Sequence, residues 1–324
     1  MQHTEIIFRL NAMGDILLLI PTLREMQNSG IDTHLVINQR WAELAGFLPA
    51  KTHLYTGTGS MLRLAAKLKA LRPAAVHDLQ GKVPTIVLRM LIPANRKTAY
   101  QKRSFKEQLM AIRKAYPLFF SDQRPIWQKY AETVGVKIAN PDPSLNLSRQ
   151  YLKSSHEMVE SLDLKPGRFI LIHAEASKKA KTLPKQLLDA VIKKTRLPVA
   201  LIGTTTDNWY NNEKVIDLRN RILLNQLPGF ISLSAGMISS DSGPMHLARA
   251  VNVPLAAVFL QTDPCLGFSP VPGKKVLIVS RSLPCKPCSL HGQREICPEG
   301  HFACRDLPAE ETADEILEFL GAVA

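Results

Sequence analysis

The strongest constraint on the fold is an alternation that runs along the chain, stops once, and starts again. Short apolar runs, "EIIFRL" at 5–10, "THLVI" at 33–37 and "AAVHDL" at 74–79, are separated by amphipathic stretches at 16–28, 61–71 and 85–91. Apolar runs of that length read as strands, and the stretches between them carry helical spacing. Such a βαβ rhythm builds a parallel sheet covered by helices on both faces. It breaks at "NPDPSLNLS" (140–148), where two prolines among Asn, Asp and Ser suit a linker. It then resumes: a helix over 149–162, a strand at 168–174, a helix at 184–195, strands at 198–203 and 236–240, a helix at 244–251, strands at 254–260 and 275–280, and a last helix at 309–323. The expected class is α/β, with two Rossmann-like doubly wound domains, 1–146 and 147–308, and a C-terminal helix in 309–324. No sequence repeat relates the halves. Ligands of doubly wound sheets bind at the carboxyl ends of the strands, so the loops after strands and a central cleft between the domains are where chemistry is expected.

No apolar run is long enough to span a bilayer, and acidic Glu5 stands where a signal peptide would be basic. The expectation is a soluble, cytoplasmic protein. The net charge of +13 is concentrated: residues 94–114 hold Arg96, Lys97, Lys102, Arg103, Lys106, Arg113 and Lys114 against Glu107 alone. A patch like this attracts a polyanion such as nucleic acid, a phosphorylated glycolipid or an anionic membrane face; the plain alternative is a solvated helix surface. No nucleic-acid motif accompanies it and aromatic residues are sparse, so no nucleic-acid partner is expected.

Three loops after strands carry candidate chemistry. In "SSDSGPMHLARAVNVP" (239–254) a polar turn opens a helix at Pro244. A helix N-terminus offers unpaired N–H groups to an anion, Gly243 permits close approach of the backbone, Ser242 adds a hydroxyl, and His246 lies in the first turn. Asp241 would repel a phosphate, so it fits either a sugar hydroxyl or an ordinary cap. The loop "HAEASKKAKTLP" (173–184) carries Ser177, Lys178, Lys179 and Lys181; a lysine here neutralises a departing diphosphate or is merely solvated. In "RLNAMGDILLLIP" (9–21), Gly14 and Asp15 open a helix without the spaced glycines of a dinucleotide fingerprint, and Asp15 is a helix cap or a general base for a hydroxyl.

Taken together, Gly14-Asp15 with Pro21, "HAEAS" with Lys181 and Pro184, and "DSGPMHLARA" at 241–250 leading into "VPLAAVF" resemble the heptosyltransferases, glycosyltransferase family 9. The resemblance implies a GT-B architecture, with the acceptor on the N-terminal domain and ADP-heptose on the C-terminal one. It implies an inverting transfer without a divalent metal, from ADP-heptose to a hydroxyl of the lipopolysaccharide inner core. Asp15 then corresponds to the catalytic base and Lys181 to the lysine that contacts donor sugar and phosphate. Asp241 corresponds to the acid near the donor sugar, Ser242, Gly243 and His246 to the diphosphate cradle, and Ser177 and Gly14 to residues lining the pocket. Arg96, Lys102 and Arg103 suit a phosphorylated Kdo–lipid A acceptor and peripheral contact with the inner face of the inner membrane. The chain departs from the family pattern at Ile20 before Pro21, at Leu183 before Pro184 and at Leu260 after Phe259.

A further cluster, Cys285, Cys288, Cys297 and Cys304, has the spacing C-x2-C-x8-C-x6-C. A cytosolic chain is not expected to form disulfides there, and two tightly spaced ligands plus two more in a short loop suit a tetrahedral structural site for zinc or iron, in which His291 or His301 could replace one cysteine. The alternatives are four reduced, unliganded thiols, or disulfides formed on crystallisation. Similar arrangements recur among members of the resembled family, some of which bind iron and modify autotransporter adhesins. A protein heptosyltransferase is therefore the second expectation, and a non-catalytic sugar-nucleotide-binding protein the third. Cys265 stands apart from the cluster.

Overall fold

The structure is a computed structural model that describes residues 3–101, 105–113, 118–176, 178–204 and 210–321. It divides into two compact units, Met1–Ser104 with Arg124–Asn146, and Phe105–Gln123 with Leu147–Ala324. Segment 105–123 thus groups with the second unit, although it lies within the expected first domain of 1–146. The basic stretch 94–114, continuous in sequence, is divided between the units.

In chain order the elements of the first unit are β1 (Thr4–Phe8), α1 (Met13–Leu18), α2 (Ile20–Asn28), β2 (Asp32–Asn38), β3 (Lys51–Tyr55), α3 (Met61–Ala70), β4 (Ala75–Asp78), α4 (Val83–Leu91) and β5 (Arg96–Ala99). Next come α5 (Phe105–Ile112), which groups with the second unit, and α6 (Ile126–Val134) of the first. The strands are all parallel in the order β3-β2-β1-β4-β5. The chain reverses its direction of growth between β1 and β4, so their carboxyl ends leave a crevice open to a ligand. Ile6, Phe8, Val36, Tyr55 and Val76 form one apolar face, packed with Leu64 and Leu68 of α3 and Leu88 of α4. The helix expected over 16–28 is two helices that meet at Leu19, because Pro21 supplies no amide hydrogen and its ring crowds the preceding turn.

The second unit continues with α7 (Arg149–Ser161), β6 (Ile170–His173), α8 (Lys185–Lys194), β7 (Val199–Leu201), β8 (Val215–Asp217), α9 (Leu227–Ser232), β9 (Gly236–Ser240), α10 (Gly243–Ala250), β10 (Leu255–Phe259), β11 (Val276–Ser280) and α11 (Ala309–Phe319). Ser148 caps α7, its hydroxyl accepting from the Tyr151 N–H at 3.1 Å. The strands are parallel in the order β11-β10-β9-β6-β7-β8, so the corresponding crevice lies between β6 and β9. Ile170, Ile172, Ile238, Ala256 and Val258 form an apolar face covered by α8 and by Ala313, Ile316, Leu317 and Leu320 of the chain's last turns. Both units are therefore doubly wound α/β domains, although their sequences do not repeat. Among the described residues, no helix is long and apolar enough to cross a membrane.

Candidate active site

The reversal points of the two sheets hold the two groups of predicted residues. In the first unit Asp15 lies in the opening turn of α1, just beyond the carboxyl end of β1, with Gly14 beside it. Its carboxylate is held from three directions. Arg9 Nη2 lies 2.6 Å from Oδ1, the Tyr130 hydroxyl donates to Oδ1 at 2.9 Å, and the Ala12 N–H donates to Oδ2 at 3.1 Å. The last contact is the capping role that the sequence allowed; the first two are more than a cap needs. Each carboxylate oxygen has two acceptor sites, so both sites of Oδ1 are occupied and one on Oδ2 is left for a hydroxyl.

Arg9 and Tyr130 are themselves buried, and the Arg9 guanidinium lies 5.3 Å from the Tyr130 ring centroid. Arg9 Nη1 also donates to the Leu79 carbonyl at 2.5 Å. Burial disfavours the charge on Arg9, but Tyr130 and Asp15 outweigh it and hold its pKa above the ordinary value. Burial, reinforced by the Asp15 charge, pushes the Tyr130 hydroxyl well above its usual range, so it stays a donor. The loops after β2 and β4 close the same edge. Asn11 Oδ1 accepts from Arg40 and from Trp41, the Asn11 N–H donates to Gln80 Oε1 at 2.9 Å, and Asp78 Oδ1 accepts from the Gln80 and Gly81 N–H groups.

Arg96, expected to meet an acceptor, starts β5 at the opposite end of the sheet from Asp15. There Arg96 Nη2 donates to Glu5 Oε1 at 3.3 Å, and Glu5 also meets the buried His77 at 2.9 Å. Burial raises the Glu5 carboxyl, but His77 and Arg96 more than offset this and hold it below the ordinary value. The structure therefore does not bring Arg96 to Asp15. Lys102 and Arg103 lie outside the described residues.

In the second unit the loop after β6 and the turn after β9 meet. Lys181 Nζ donates to Asp241 Oδ2 at 3.3 Å, and the Thr262 hydroxyl donates to the same oxygen at 2.7 Å. Both charged side chains are only 12% exposed. Asp241 is thus not the helix cap. Ser242 occupies the N-cap position of α10, yet its side chain makes no cap hydrogen bond. Its hydroxyl lies 3.0 Å from His173 Nδ1 and donates to the Ser240 carbonyl at 3.1 Å. Burial depresses the His173 pKa to about 4, so this imidazole is neutral near pH 7. The opening N–H groups of α10, at Ser242, Gly243 and Met245, lack intrahelical partners as in any helix, and Pro244 has none to offer. The dipole of the helix adds partial positive charge at that end. This combination suits a diphosphate, with Lys181 supplying the full charge. His246 is buried in the first turn; Ser177 lies outside the described residues.

Cys285, Cys288, Cys297 and Cys304 line one small cavity together with Lys286 and His301. Burial and the neighbouring thiols push Cys288 up to about 11, and burial also raises Cys304. Burial opposes ionisation of Cys297 too, but backbone hydrogen bonds from Phe302, Glu299, His301 and Gly300 outweigh it and lower its pKa. Donors aimed at one sulfur suit a thiolate ligand. Even so, no group of three or more His, Cys, Asp or Glu side chains among the described residues stands in metal-ligand geometry. The donor set has the composition of a thiolate site but is not closed around a metal position.

Sequence reasoning missed Arg9, Tyr130, Thr262 and His173. Arg9 and His173 were visible as polar residues at the ends of apolar strands. Nothing local marks Tyr130, which reaches Asp15 across 115 positions.

Comparison with known proteins adds to this geometry. A family model described as glycosyltransferase family 9 (heptosyltransferase) matches residues 61–297. Lipooligosaccharide heptosyltransferase 2 of Campylobacter jejuni is 31% identical over 106 residues, a stretch that spans only 32% of this chain and 32% of that relative. Lipopolysaccharide heptosyltransferase 1 of Pseudomonas aeruginosa is 22% identical over 316 residues, 87% of this chain and 85% of the relative. Among solved structures, a family 9 glycosyltransferase of Veillonella parvula superposes with a TM-score of 0.76 at 16% identity, covering 98% of this chain and 97% of the other. ADP-heptose lps heptosyltransferase II of E. coli gives 0.72 at 17%, covering 99% and 98%. The iron-containing dodecameric glycosyltransferase TibC of E. coli gives 0.61 at 14%, covering 99% of this chain and 76% of TibC. At these identities the structural likeness establishes the GT-B type of fold.

Proposed function

This chain belongs to glycosyltransferase family 9, the heptosyltransferases, and on that premise we propose that it transfers heptose from ADP-heptose to a hydroxyl of the lipopolysaccharide inner core, with inversion and without a divalent metal in the transfer step. The observation that carries this reading is the Lys181–Asp241 pair beside the uncapped start of α10, at the reversal point of the second sheet.

In this reading the donor diphosphate sits on the opening N–H groups of α10, with Gly243, Ser242 and His246 around it and Lys181 against its charge. Asp241, fixed by Thr262 and Lys181, meets hydroxyls of the sugar. Asp15 takes the proton of the acceptor hydroxyl on Oδ2 while that oxygen bonds to the anomeric carbon. The bond from that carbon to the diphosphate breaks in the same step, and ADP leaves with the electron pair. A single displacement inverts the anomeric centre. The leaving diphosphate is stabilised by preorganised dipoles and an ammonium group, which do in a desolvated site what a metal ion does elsewhere. Arg9 and Tyr130 keep the Asp15 carboxylate in one orientation, so the proton is taken from a defined direction.

A lipid-borne acceptor is supported by α4. Its Thr85 and Leu88 face the core, yet Val83, Ile86 and Met90 on the other side are exposed, at 74%, 38% and 72%. A surface helix normally carries polar residues there. Exposed Lys82 and Lys97 and the partly exposed Arg89 add positive charge around the stripe, as suits an anionic membrane face. We therefore extend the proposal to peripheral contact with the inner face of the inner membrane.

The four-cysteine cavity favours a second reading, transfer to a protein acceptor such as an adhesin, because the structurally similar TibC is an iron-containing glycosyltransferase. In both readings the thiolates of Cys285, Cys288, Cys297 and Cys304 would hold a zinc or iron ion that braces the segment. Incubating the purified protein with ADP-heptose, with either Kdo–lipid A or an adhesin fragment, in EDTA, tests the proposal. Heptosylated Kdo–lipid A with release of ADP is expected. Transfer only to the adhesin selects the second reading, and transfer that requires magnesium rejects the metal-free mechanism.

A further inference from the structure

Between Cys288 and Cys297 the chain makes a tight turn whose contacts lead back to both Lys181 and Asp241. Ser289 is buried and donates its hydroxyl to Gln293 Oε1 at 2.7 Å, while its oxygen accepts the Gln293 N–H at 3.0 Å. Gln293 Oε1 also accepts the His291 N–H at 2.9 Å. These bonds close the turn and hold Gly292 at φ +72°, a left-handed conformation that suits glycine. The Gly292 backbone lies against the stem of Lys181: a Cβ placed on Gly292 would be 2.5 Å from Lys181 Cγ and 2.9 Å from Cδ.

Two residues after Gly292, Arg294 reaches the other partner. Arg294 exchanges two hydrogen bonds with the buried Gln261, whose Nε2 donates to the Arg294 carbonyl at 2.7 Å and whose Oε1 accepts the Arg294 N–H at 3.2 Å. Gln261 is followed by Thr262, the residue that donates to Asp241 Oδ2. One turn of six residues therefore touches the lysine stem directly and the carboxylate through Gln261 and Thr262.

We propose that turn 289–294 is a positioning element for the donor site: Gly292 sets the course of the Lys181 side chain, and the Arg294–Gln261 pairing sets Thr262 against Asp241. A long lysine side chain has many rotamers, and a wall along its stem removes the ones that carry the ammonium away from Asp241. Glycine serves at 292 because any larger residue would displace the stem it guides. The proposal rests on the reading that Lys181 binds the donor diphosphate, and it explains why a cysteine-rich segment sits beside that site.

The test is a double-mutant cycle read by calorimetric titration of the full chain with ADP. Lys181→Ala is expected to weaken ADP binding strongly, since it removes a charge-assisted contact to phosphate. Gly292→Ala is expected to weaken it by roughly tenfold, the scale of one such contact made imperfectly. Gly292→Ala with Lys181→Ala should bind no more weakly than Lys181→Ala alone, because the glycine acts through the lysine. Losses that multiply, or a Gly292→Ala chain with unchanged affinity, overturn the proposal. Should Gly292→Ala lower the melting temperature, Gln293→Ala repeats the cycle from an exposed position, with the same loss and the same coupling expected. If Lys181→Ala itself leaves ADP binding intact, the donor-site reading of Lys181 is wrong and the proposal falls with it; a failure of the proposal alone shows only in the Gly292 and Gln293 arms.

Discussion

Arg9 Nη2 lies 2.6 Å from Asp15 Oδ1, and six positions of sequence separate the two residues. The contact joins the end of a buried strand to the first turn of the next helix, at the sheet's reversal point. It converts an aspartate that a helix start needs only as a cap into a carboxylate with a fixed orientation.

Removing the carboxylate should therefore separate chemistry from binding. Asp15→Ala is expected to lower kcat by at least about a thousandfold, in the range of general-base catalysis with lost positioning. Titration with ADP should give the wild-type affinity, since no residue of the α10 site changes. Retained turnover would reject the base assignment.

Tyr130→Phe removes one of three contacts to Asp15 and keeps the ring packed against Tyr100, at 5.3 Å between centroids. A drop in kcat of roughly tenfold is expected, in line with one lost hydrogen bond to a charged group, with KM for the donor unchanged. Arg9→Ala should cost more, because it also takes the guanidinium from the Tyr130 ring and a donor from the Leu79 carbonyl.

Acid stability should follow the buried histidines. His173 and His53 are both held at about 4, where an unfolded chain has about 6.5. The unfolded chain binds more protons between those values, so stability is level above about pH 6.5 and falls as pH drops toward 4. Each histidine contributes a slope of at most about 1.4 kcal/mol per pH unit. Melting temperatures measured from pH 4 to 7 should show this decline, and it should be shallower in His173→Asn.

If the thiolate cavity holds an ion, metal analysis of protein purified without chelator should find close to one zinc or iron per chain. Cys288→Ser together with Cys304→Ser should abolish it and lower the melting temperature. Metal-free preparations from wild-type cells, with four titratable thiols in this segment, would count against the site.

The α4 stripe predicts binding to vesicles of phosphatidylglycerol that salt weakens and neutral phosphatidylcholine vesicles do not reproduce. Val83→Asp with Met90→Glu should weaken that binding by at least tenfold, because each side chain loses about 2 kcal/mol of apolar burial in the bilayer interface. Unchanged vesicle binding, or a loss of self-association instead, would reject a membrane role for this face.

The elements legible in the sequence are those whose burial imposes a pattern. The runs of β9 and β10 are buried throughout, and their boundaries follow from apolarity alone. By contrast β3, β5 and β8 are edge strands and carry "KTHLY", "RKTA" and "VID", short runs in which only His53 and Tyr55 of β3 are buried, so no apolar period shows. They were missed for that reason, and "RKTA" was absorbed into a charged stretch.

The site divides in the same way. The polar turns after strands, with Asp15, Lys181 and Asp241 in them, follow from local order along the chain, because a parallel sheet places such turns at its ligand-binding edge. Only tertiary structure decided that Tyr130 and Arg9 hold Asp15, that Thr262 shares Asp241 with Lys181, that Ser242 turns to His173 instead of capping its helix, and that Arg96 pairs with Glu5 at the far end of its sheet. These pairings link residues that the chain separates and the sheet order brings together. Local periodicity specifies which residues are buried, whereas partners depend on the three-dimensional path that burial then selects.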